Sequence, residues 1–209
     1  MEIYDSLSDS IQKGDLNKAS ELTQIALNQN ISPQDILDNA LIKGMTMIGD
    51  KFKRNEVFVP EMLIAARAMN KALEILEPEM IKNNVENKGT IVLGTVKGDL
   101  HDIGKNLVGI MFKGAGYKVI DLGTDVSPEK FIENAEENKA DLIGLSALLT
   151  TTMVNMKEVI DLIKGSNLKS KILVGGAPLT DNFAKEINAD GYAPDAVSAV
   201  EIGRNLVQN

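Results

Sequence analysis

The order of hydrophobic patterns along the chain constrains its fold more than any other feature. From about residue 90 onward, short and continuous apolar runs alternate with segments whose apolar residues recur at helical spacing. Strands that are apolar throughout are expected when helices cover both faces of a sheet. The alternation therefore predicts an α/β fold with a flavodoxin-like (Rossmann-like), five-stranded, doubly wound parallel sheet. The predicted strands are 90–96, 118–122, 141–146, 171–175 and 190–192, and the predicted helices are 104–115, 128–138, 152–164, 180–187 and 195–207.

The first part of the chain shows helical periodicity and no convincing strand. Its apolar residues recur at helical spacing from residue 4 to about residue 83, with a break near residues 13–15. Ser32-Pro33 and Val59-Pro60 are helix start signals, because proline suits the first turn and serine caps it. Four helices with short connections predict a small antiparallel bundle.

A polar stretch separates the two patterns. Pro78 predicts the end or a kink of the fourth helix, and residues 82–89 are polar enough to form a linker. We therefore expect two domains, a helical bundle with its linker at 1–87 and the sheet domain at 88–209.

Composition excludes several classes of partner. The net charge of −8, the aromatic content of 4% and the lack of Trp argue against nucleic acid binding. No apolar run approaches the roughly 20 residues that span a membrane, and the acidic N-terminus is unlike a signal peptide. The absence of Cys excludes disulfides and thiolate metal sites. We expect a soluble, cytoplasmic protein that binds neither nucleic acid nor membranes.

The only histidine of the chain, His101, lies in a glycine-framed loop after the first predicted strand. An imidazole two residues after Asp99 can bind a metal through one nitrogen while the other donates its N–H to the carboxylate. One histidine does not supply the three or four ligands that a free metal ion usually needs. Either carboxylates complete such a site, or a cofactor brings its own metal.

Two further segments follow strands at the same predicted edge, where doubly wound sheets bind ligands. Residues 146–152 are rich in hydroxyl groups, and Gly175-Gly176 lack side chains that would keep a bulky ligand from the backbone. Each feature has an ordinary alternative: the histidine as a surface residue, the hydroxyl groups as helix caps, and the glycines as a tight turn.

The histidine loop also approaches a phosphate-binding motif, through Gly98 and then Gly104-Lys105. It has one residue too many between the glycines, and Asn106 stands where a Ser or Thr would hold Mg²⁺. We reject that interpretation.

Together these residues resemble a known family. Residues 99–104 (DLHDIG) match the D-x-H-x-x-G motif of cobalamin-binding domains, while 146–148 (SAL) look like their S-x-L and 175–176 like their G-G. Segments 44–49 and 58–69 are similar to the helical cap of methionine synthase. The resemblance is strongest to corrinoid proteins of methyltransferase systems of the methylamine and methanol type.

The resemblance implies a cap domain at 1–87, a cobalamin-binding domain at 88–209, and cobalamin or a related corrinoid as cofactor. His101 would be the axial ligand of cobalt, which alternates between the methylcobalamin and Co(I) forms; hydroxocobalamin is a further form of the cofactor. Asp99, His101 and Thr152 would form a proton relay, with Thr152 at the position of a serine in methionine synthase. Phe58, Met62 and Met69 are candidates for the cap face, or ordinary bundle core. The other cofactor-binding candidates are Gly98, Asp102, Ile103, Gly104, Ser146, Leu148, Thr150, Gly175 and Gly176.

The implied function is that of a methyl carrier, not catalytic alone. A substrate-specific methyltransferase would load the cobalt with a methyl group, with methylated amines favoured over methanol and aryl methyl ethers as donors. A second methyltransferase would pass the group to a thiol or a tetrahydrofolate-type acceptor, and a reductive activator would rescue Co(II). The alternatives are a cobalamin-dependent regulator or sensor, and the small subunit of an adenosylcobalamin mutase.

Overall fold

The computed structural model describes residues 2–83, 85 and 87–208 of the 209-residue chain. These residues divide into two compact units. The first unit contains the described residues up to Lys88 together with Gly114–Gly116, and the second contains Gly89–Lys113 and the described residues from Tyr117 onward. Among the described helices, none combines the length and the apolar character needed to cross a membrane.

The first unit is helical, as the periodicity predicts. Gly14, with φ of +68°, separates the first two helices, and the Ser32 hydroxyl accepts the N–H of Asp35 at 3.1 Å to cap the next helical stretch. The helices are α1 (Glu2–Lys13), α2 (Leu16–Asn28), α3 (Pro33–Ile36), a π-helical segment (Leu37–Ile42), α4 (Lys43–Lys53) and α5 (Val59–Lys82). Because α3, the π-helical segment and α4 follow one another without a break, the described unit contains the four helical stretches that were predicted.

Pro78 does not end the last of these helices. It lies inside α5, which continues to Lys82, so the predicted end of the helix at this proline is wrong. A proline removes one backbone hydrogen bond from a helix. The preceding turns of α5 bury an apolar face that includes Met62, Met69 and Leu76, and this packing outweighs the local loss.

The second unit contains a five-stranded sheet and the helices that connect its strands. All five strands run parallel, in the order β2-β1-β3-β4-β5. This confirms the predicted fold class. The predicted helix at 152–164 is two helices, which meet at Val154. The strands are β1 (Thr90–Thr95), β2 (Lys118–Asp121), β3 (Leu142–Ser146), β4 (Lys171–Gly175) and β5 (Gly191–Ala193); the helices are α6 (Ile103–Gly114), α7 (Pro128–Glu137), α8 (Thr150–Met153), α9 (Asn155–Gly165), α10 (Asp181–Glu186) and α11 (Ala196–Gln208).

The register of the sheet aligns four strand ends at its carboxyl edge. Thr95 pairs with Ser146, Ser146 with Gly175, and Gly175 with Ala193. The chain leaves β1 toward β2 on one side and returns to β3 on the other, so the order of strands reverses beside β1. In such sheets the ligand crevice lies outside the carboxyl ends of the strands at this reversal. The loops after β1 and β3 flank that position.

Candidate functional site

In the loop after β1, the fully buried carboxylate of Asp99 contacts His101. The Oδ1 atom of Asp99 accepts the backbone N–H of His101 at 3.0 Å and lies 2.7 Å from its Nδ1 atom. Because Nδ1 faces a carboxylate, the geometry favours the tautomer with the proton on Nδ1 and a lone pair on Nε2. The side chain of His101 is 51% exposed, and no described residue hydrogen-bonds to Nε2. The imidazole therefore presents a free ligand atom at the edge of the sheet.

The loop after β3 holds the same carboxylate from the other side. The hydroxyl of Thr152, in α8, donates to Oδ2 of Asp99 at 2.6 Å, and the backbone N–H of Leu148 donates to that oxygen at 2.8 Å. Thr152 is itself buried. The three residues predicted from the resemblance to form a relay, Asp99, His101 and Thr152, are thus connected by hydrogen bonds.

These donors decide the ionisation of the carboxyl group. Burial by itself would raise the pKa of Asp99, but hydrogen bonds from Thr152 and from the backbone of Leu148 and His101 hold its pKa well below the usual range. Asp99 is therefore ionised at neutral pH. A carboxylate hydrogen-bonded to one ring nitrogen makes the imidazole a better metal ligand through the other.

Further contacts fix the backbone of the histidine loop. The buried hydroxyl of Thr95 donates to the carbonyl oxygen of His101 at 2.9 Å. Asp125, in the loop after β2, accepts the N–H of Gly98 at 2.7 Å and donates its own N–H to the carbonyl of Asp99 at 3.0 Å. The sequence interpretation missed Thr95 and Asp125. Asp125 carried a usable signal, because it follows a predicted strand at the same edge.

Exposed apolar side chains lie close to His101 in the sequence and on the neighbouring loop after β3. Leu100 and Ile103, on the histidine loop, are 73% and 75% exposed, and Leu148 and Leu149 on the neighbouring loop are also exposed. Several large apolar side chains exposed on adjacent loops are more typical of a binding site than of an ordinary solvated surface. Their combination with a free imidazole nitrogen fits a large cofactor with an apolar periphery and its own metal.

The two glycines after β4 have a structural explanation of their own. Gly176 has φ of +139°, and a Cβ atom added to it would lie 1.8 Å from the carbonyl oxygen of Ala147. A Cβ on Gly175 would lie 3.1 Å from the carbonyl oxygen of Ala193. The turn therefore requires glycine at 176 whether or not a ligand is present. This favours the interpretation of the two glycines as a tight turn.

The remaining predicted residues of the second unit lie on the same loops. Ser146 is half-buried at the end of β3, and Thr150 is exposed at the start of α8. Asp102 is exposed and accepts the side-chain N–H of Asn106 at 3.0 Å. Gly104, in the first turn of α6, has nothing within 4 Å of an added Cβ atom.

The three cap candidates belong to the first unit and differ in exposure. Met62 and Met69 are buried in α5, as core residues of a bundle are, whereas Phe58, directly before α5, is 63% exposed. Of these three candidates, only Phe58 has an exposed side chain.

Comparison with known proteins identifies the family. Models described as B12 binding domain match residues 3–77 and 89–201. A corrinoid protein of Desulfitobacterium hafniense (strain Y51) is 47% identical over 99% of this chain and 98% of its own length. Trimethylamine corrinoid protein 1 of Methanosarcina acetivorans is 40% identical over 95% of this chain and 94% of its own.

A solved structure agrees with these matches. The methanol:cobalamin methyltransferase complex from Methanosarcina barkeri contains a chain that superposes with a TM-score of 0.87 at 30% identity, covering 100% of this chain and 80% of that one. The fold, the histidine loop and the matched domains define a cobalamin-binding protein. More narrowly, the chain belongs to the family of corrinoid proteins, which confirms the resemblance drawn from the sequence.

Proposed function

We propose that this chain is a methyl carrier that binds its corrinoid through His101. The observation that carries the proposal is the fixed imidazole. Its Nδ1 atom lies 2.7 Å from the buried carboxylate of Asp99, its side chain is 51% exposed, and no described residue hydrogen-bonds to its Nε2 atom. When bound, a corrinoid supplies a cobalt centre that accepts and releases a methyl group. The protein residues described below bind, orient and shield that group.

Asp99, His101 and Thr152 are proposed to control donation from Nε2. The ionised carboxylate orients the ring and strengthens it as a ligand, and the Thr152 hydroxyl holds the second carboxylate oxygen. A proton taken up by the Asp99–His101 pair would weaken this donation and favour release of the ligand atom. Threonine provides the hydroxyl that such a relay requires.

The apolar rim is proposed to cover the macrocycle. Leu100, Ile103 and Leu148 are exposed beside the imidazole, so a bound ligand would bury them and exclude water from the ring. Gly98, Asp102 and Gly104 would complete the loop around the ligand. Ser146, Thr150, Gly175 and Gly176, on the loops after β3 and β4, are proposed to line the channel for the nucleotide tail.

The helical unit is proposed to act as the cap, with a functional boundary between residues 87 and 88. Of the three candidates we assign Phe58 to the cap face, because it is exposed, and Met62 and Met69 to the core of the bundle. The four helical stretches would shield the bound cofactor from water and oxidants.

The partners follow from the relatives. Because named relatives serve trimethylamine and a related chain occurs in a methanol:cobalamin methyltransferase complex, we propose a substrate-specific methyltransferase as partner and a methylated amine as donor. We further propose a second methyltransferase that transfers the group to a thiol or folate-type acceptor, a reductive activator for Co(II), and a cytoplasmic setting.

An absorption experiment tests the ligand assignment. Protein purified without a histidine tag is mixed with hydroxocobalamin, and we expect the spectrum of a cofactor with its own base displaced and a histidine bound. His101→Ala should lose this spectrum, and added imidazole should restore it partly. Asn188→Gly, on another loop of the same unit, is the control and should match the wild type, because glycine tolerates the positive φ of this residue. An unaltered His101→Ala spectrum would reject the assignment.

A transfer experiment tests the carrier role. The reduced protein is incubated with trimethylamine or methanol and the methyltransferases that serve the corresponding relatives, and methylation of the cofactor is followed by absorption. Methylation that depends on one donor and its methyltransferase supports the proposal. Absence of methylation with every donor, in a protein that binds cobalamin normally, would reject the carrier function.

A further inference from the structure

A buried lysine lies beneath the histidine loop without a role in the proposed chemistry. The side chain of Lys105 in α6 is 1% exposed, and its Nζ atom lies 2.6 Å from both carboxylate oxygens of Asp121, at the end of β2. Its third contact is the Oδ1 atom of Asn106 at 2.7 Å. The ammonium group therefore has an acceptor for each of its three N–H bonds.

This ion pair is connected to the residue after His101. The amide nitrogen of Asn106, whose oxygen faces Lys105, donates to Oδ2 of Asp102 at 3.0 Å. The backbone N–H of Asn106 also donates to the carbonyl of Asp102 at 2.7 Å. A chain of contacts thus runs from Asp121 through Lys105 and Asn106 to the C-terminal end of the histidine loop.

The N-terminal end of the loop is held by the same neighbour. Asp125, four residues after Asp121, accepts the N–H of Gly98 and donates to the carbonyl of Asp99, at 2.7 and 3.0 Å. Asp125 has φ of +53°, a conformation that few residues other than Gly, Asn and Asp adopt readily. Its carboxylate and its backbone therefore hold two peptide groups of the loop, Lys97–Gly98 and Asp99–Leu100.

We propose that the segment from Asp121 to Asp125 positions His101 by clamping both ends of its loop, with Lys105 as the buried connector. The proposal rests on the proposed function, because it concerns the orientation of the same imidazole. An ion pair with a buried partner is weak evidence for stability, since the desolvation of the Lys105 ammonium group offsets its attraction to Asp121. A role in fixing the geometry of the histidine loop would explain why the buried ammonium group of Lys105 has all three of its hydrogen bonds.

Two substitutions test the two ends separately. Asp125→Gly removes the carboxylate while allowing the positive φ, and Asp125 is exposed, so the fold should persist. Lys105→Met keeps most of the volume and leaves Asp121, whose side chain is 44% exposed, free to be hydrated. Replacing Asp121 instead would leave the buried ammonium group of Lys105 without its carboxylate partner, so it is the poorer test.

Each substitution has a matched control. Asn188→Gly replaces another residue of the second unit at positive φ, +61°, and Lys157→Met removes the cation of an exposed pair with Asp161 within α9. Asp125→Asn is the rescue variant, because an amide oxygen still accepts the N–H of Gly98 and asparagine tolerates positive φ.

The first measurement uses the protein without cofactor. Because His101 is the only histidine, a long-range proton–nitrogen NMR spectrum of untagged, nitrogen-15-labelled protein shows one imidazole. We expect the Nδ1-protonated form to predominate in the wild type, in Asp125→Asn and in both controls. Its fraction should fall in Asp125→Gly and in Lys105→Met. A change of stability alone would not move this ratio.

The second measurement adds hydroxocobalamin and determines the ratio of histidine-bound to histidine-free cofactor. We expect this ratio to fall about tenfold in Asp125→Gly and Lys105→Met, at the lower end of the range for residues that orient metal ligands. Wild-type values of both readouts in Asp125→Gly would overturn the proposal, even if Lys105→Met failed to fold. A wild type that never binds cobalamin through histidine would overturn the proposed function instead, while the NMR readout would still decide the positioning role.

Discussion

Replacing Thr152 with valine should destabilise the second unit in a pH-dependent way. The substitution keeps the shape of the side chain and removes the hydroxyl that donates to Oδ2 of Asp99 at 2.6 Å. Both residues are buried, so water does not readily replace the lost donor. A hydrogen bond to a charged group contributes about 1.5–3 kcal/mol, and we expect the free energy of unfolding at pH 7 to fall by about 2 kcal/mol.

The sign of the pH dependence follows from the lowered pKa of Asp99. A carboxyl group whose pKa is lower in the folded than in the unfolded protein stabilises the fold above its unfolded pKa of about 3.9 and loses this contribution as the pH falls further. Removing one of the donors that lower the pKa of Asp99 raises it toward the ordinary value. The unfolded pKa is the same in both proteins, so the difference between wild type and Thr152→Val should be constant at and above about pH 4 and shrink only at lower pH, where Asp99 becomes protonated in the folded variant.

Urea denaturation measures this difference. Tyrosine fluorescence is the probe, because two of the three tyrosines, Tyr117 and Tyr192, lie in the second unit. Thr152→Ser is the control: it retains the donor and loses a buried methyl group, and its cost of about 1 kcal/mol should not depend on pH. A loss below about 0.5 kcal/mol in Thr152→Val at pH 7, or one that grows as the pH is lowered below about 4, would refute the assignment of this hydrogen bond to an ionised Asp99.

Two further substitutions separate structural demands from ligand binding. Gly176→Ala should lower the free energy of unfolding by about 3 kcal/mol or more, because the added Cβ atom would lie 1.8 Å from the carbonyl oxygen of Ala147 and φ is +139°. Gly104→Ala, with open space around the added atom, should leave the melting temperature unchanged or raise it. Equal melting temperatures of the two variants would contradict this account. Leu100→Ser should change stability by less than about 0.5 kcal/mol, because the side chain is 73% exposed, yet weaken hydroxocobalamin binding about tenfold or more in an absorption titration. An unchanged dissociation constant would show that the ligand does not cover this leucine.

The fold was predictable because periodicity alone distinguishes the two units. Continuous apolar strands that alternate with helices require a parallel sheet covered on both faces, and the observed strands agree with the predicted ones to within one or two residues. The errors arose where packing or local geometry overrides sequence signals. Pro78 lies inside α5, and Val154 divides one predicted helix into two.

The candidate site was predictable only in part. Asp99 and His101 are two residues apart, so a hydrogen bond between them is a local feature that spacing can indicate. Thr152 lies 53 residues from Asp99 and was named through the resemblance, because periodicity does not show which hydroxyl of residues 146–152 turns toward the carboxylate. Lys105 was considered only within a rejected phosphate motif, since its partner Asp121 becomes visible once β2 is known to lie beside β1.

The strand order explains why the support of His101 is divided between two neighbours. The loop after β1 lies between the loops after β2 and β3, and each contacts a different part of it. The β3 side holds the Oδ2 atom of Asp99 through Thr152 and a backbone N–H, whereas the β2 side holds the backbone through Asp125. A substitution on one side therefore leaves the contacts on the other side in place. In such sheets the reversal of strand order opens a crevice for a ligand, and in this chain it also places the His101 loop between two sets of supporting contacts.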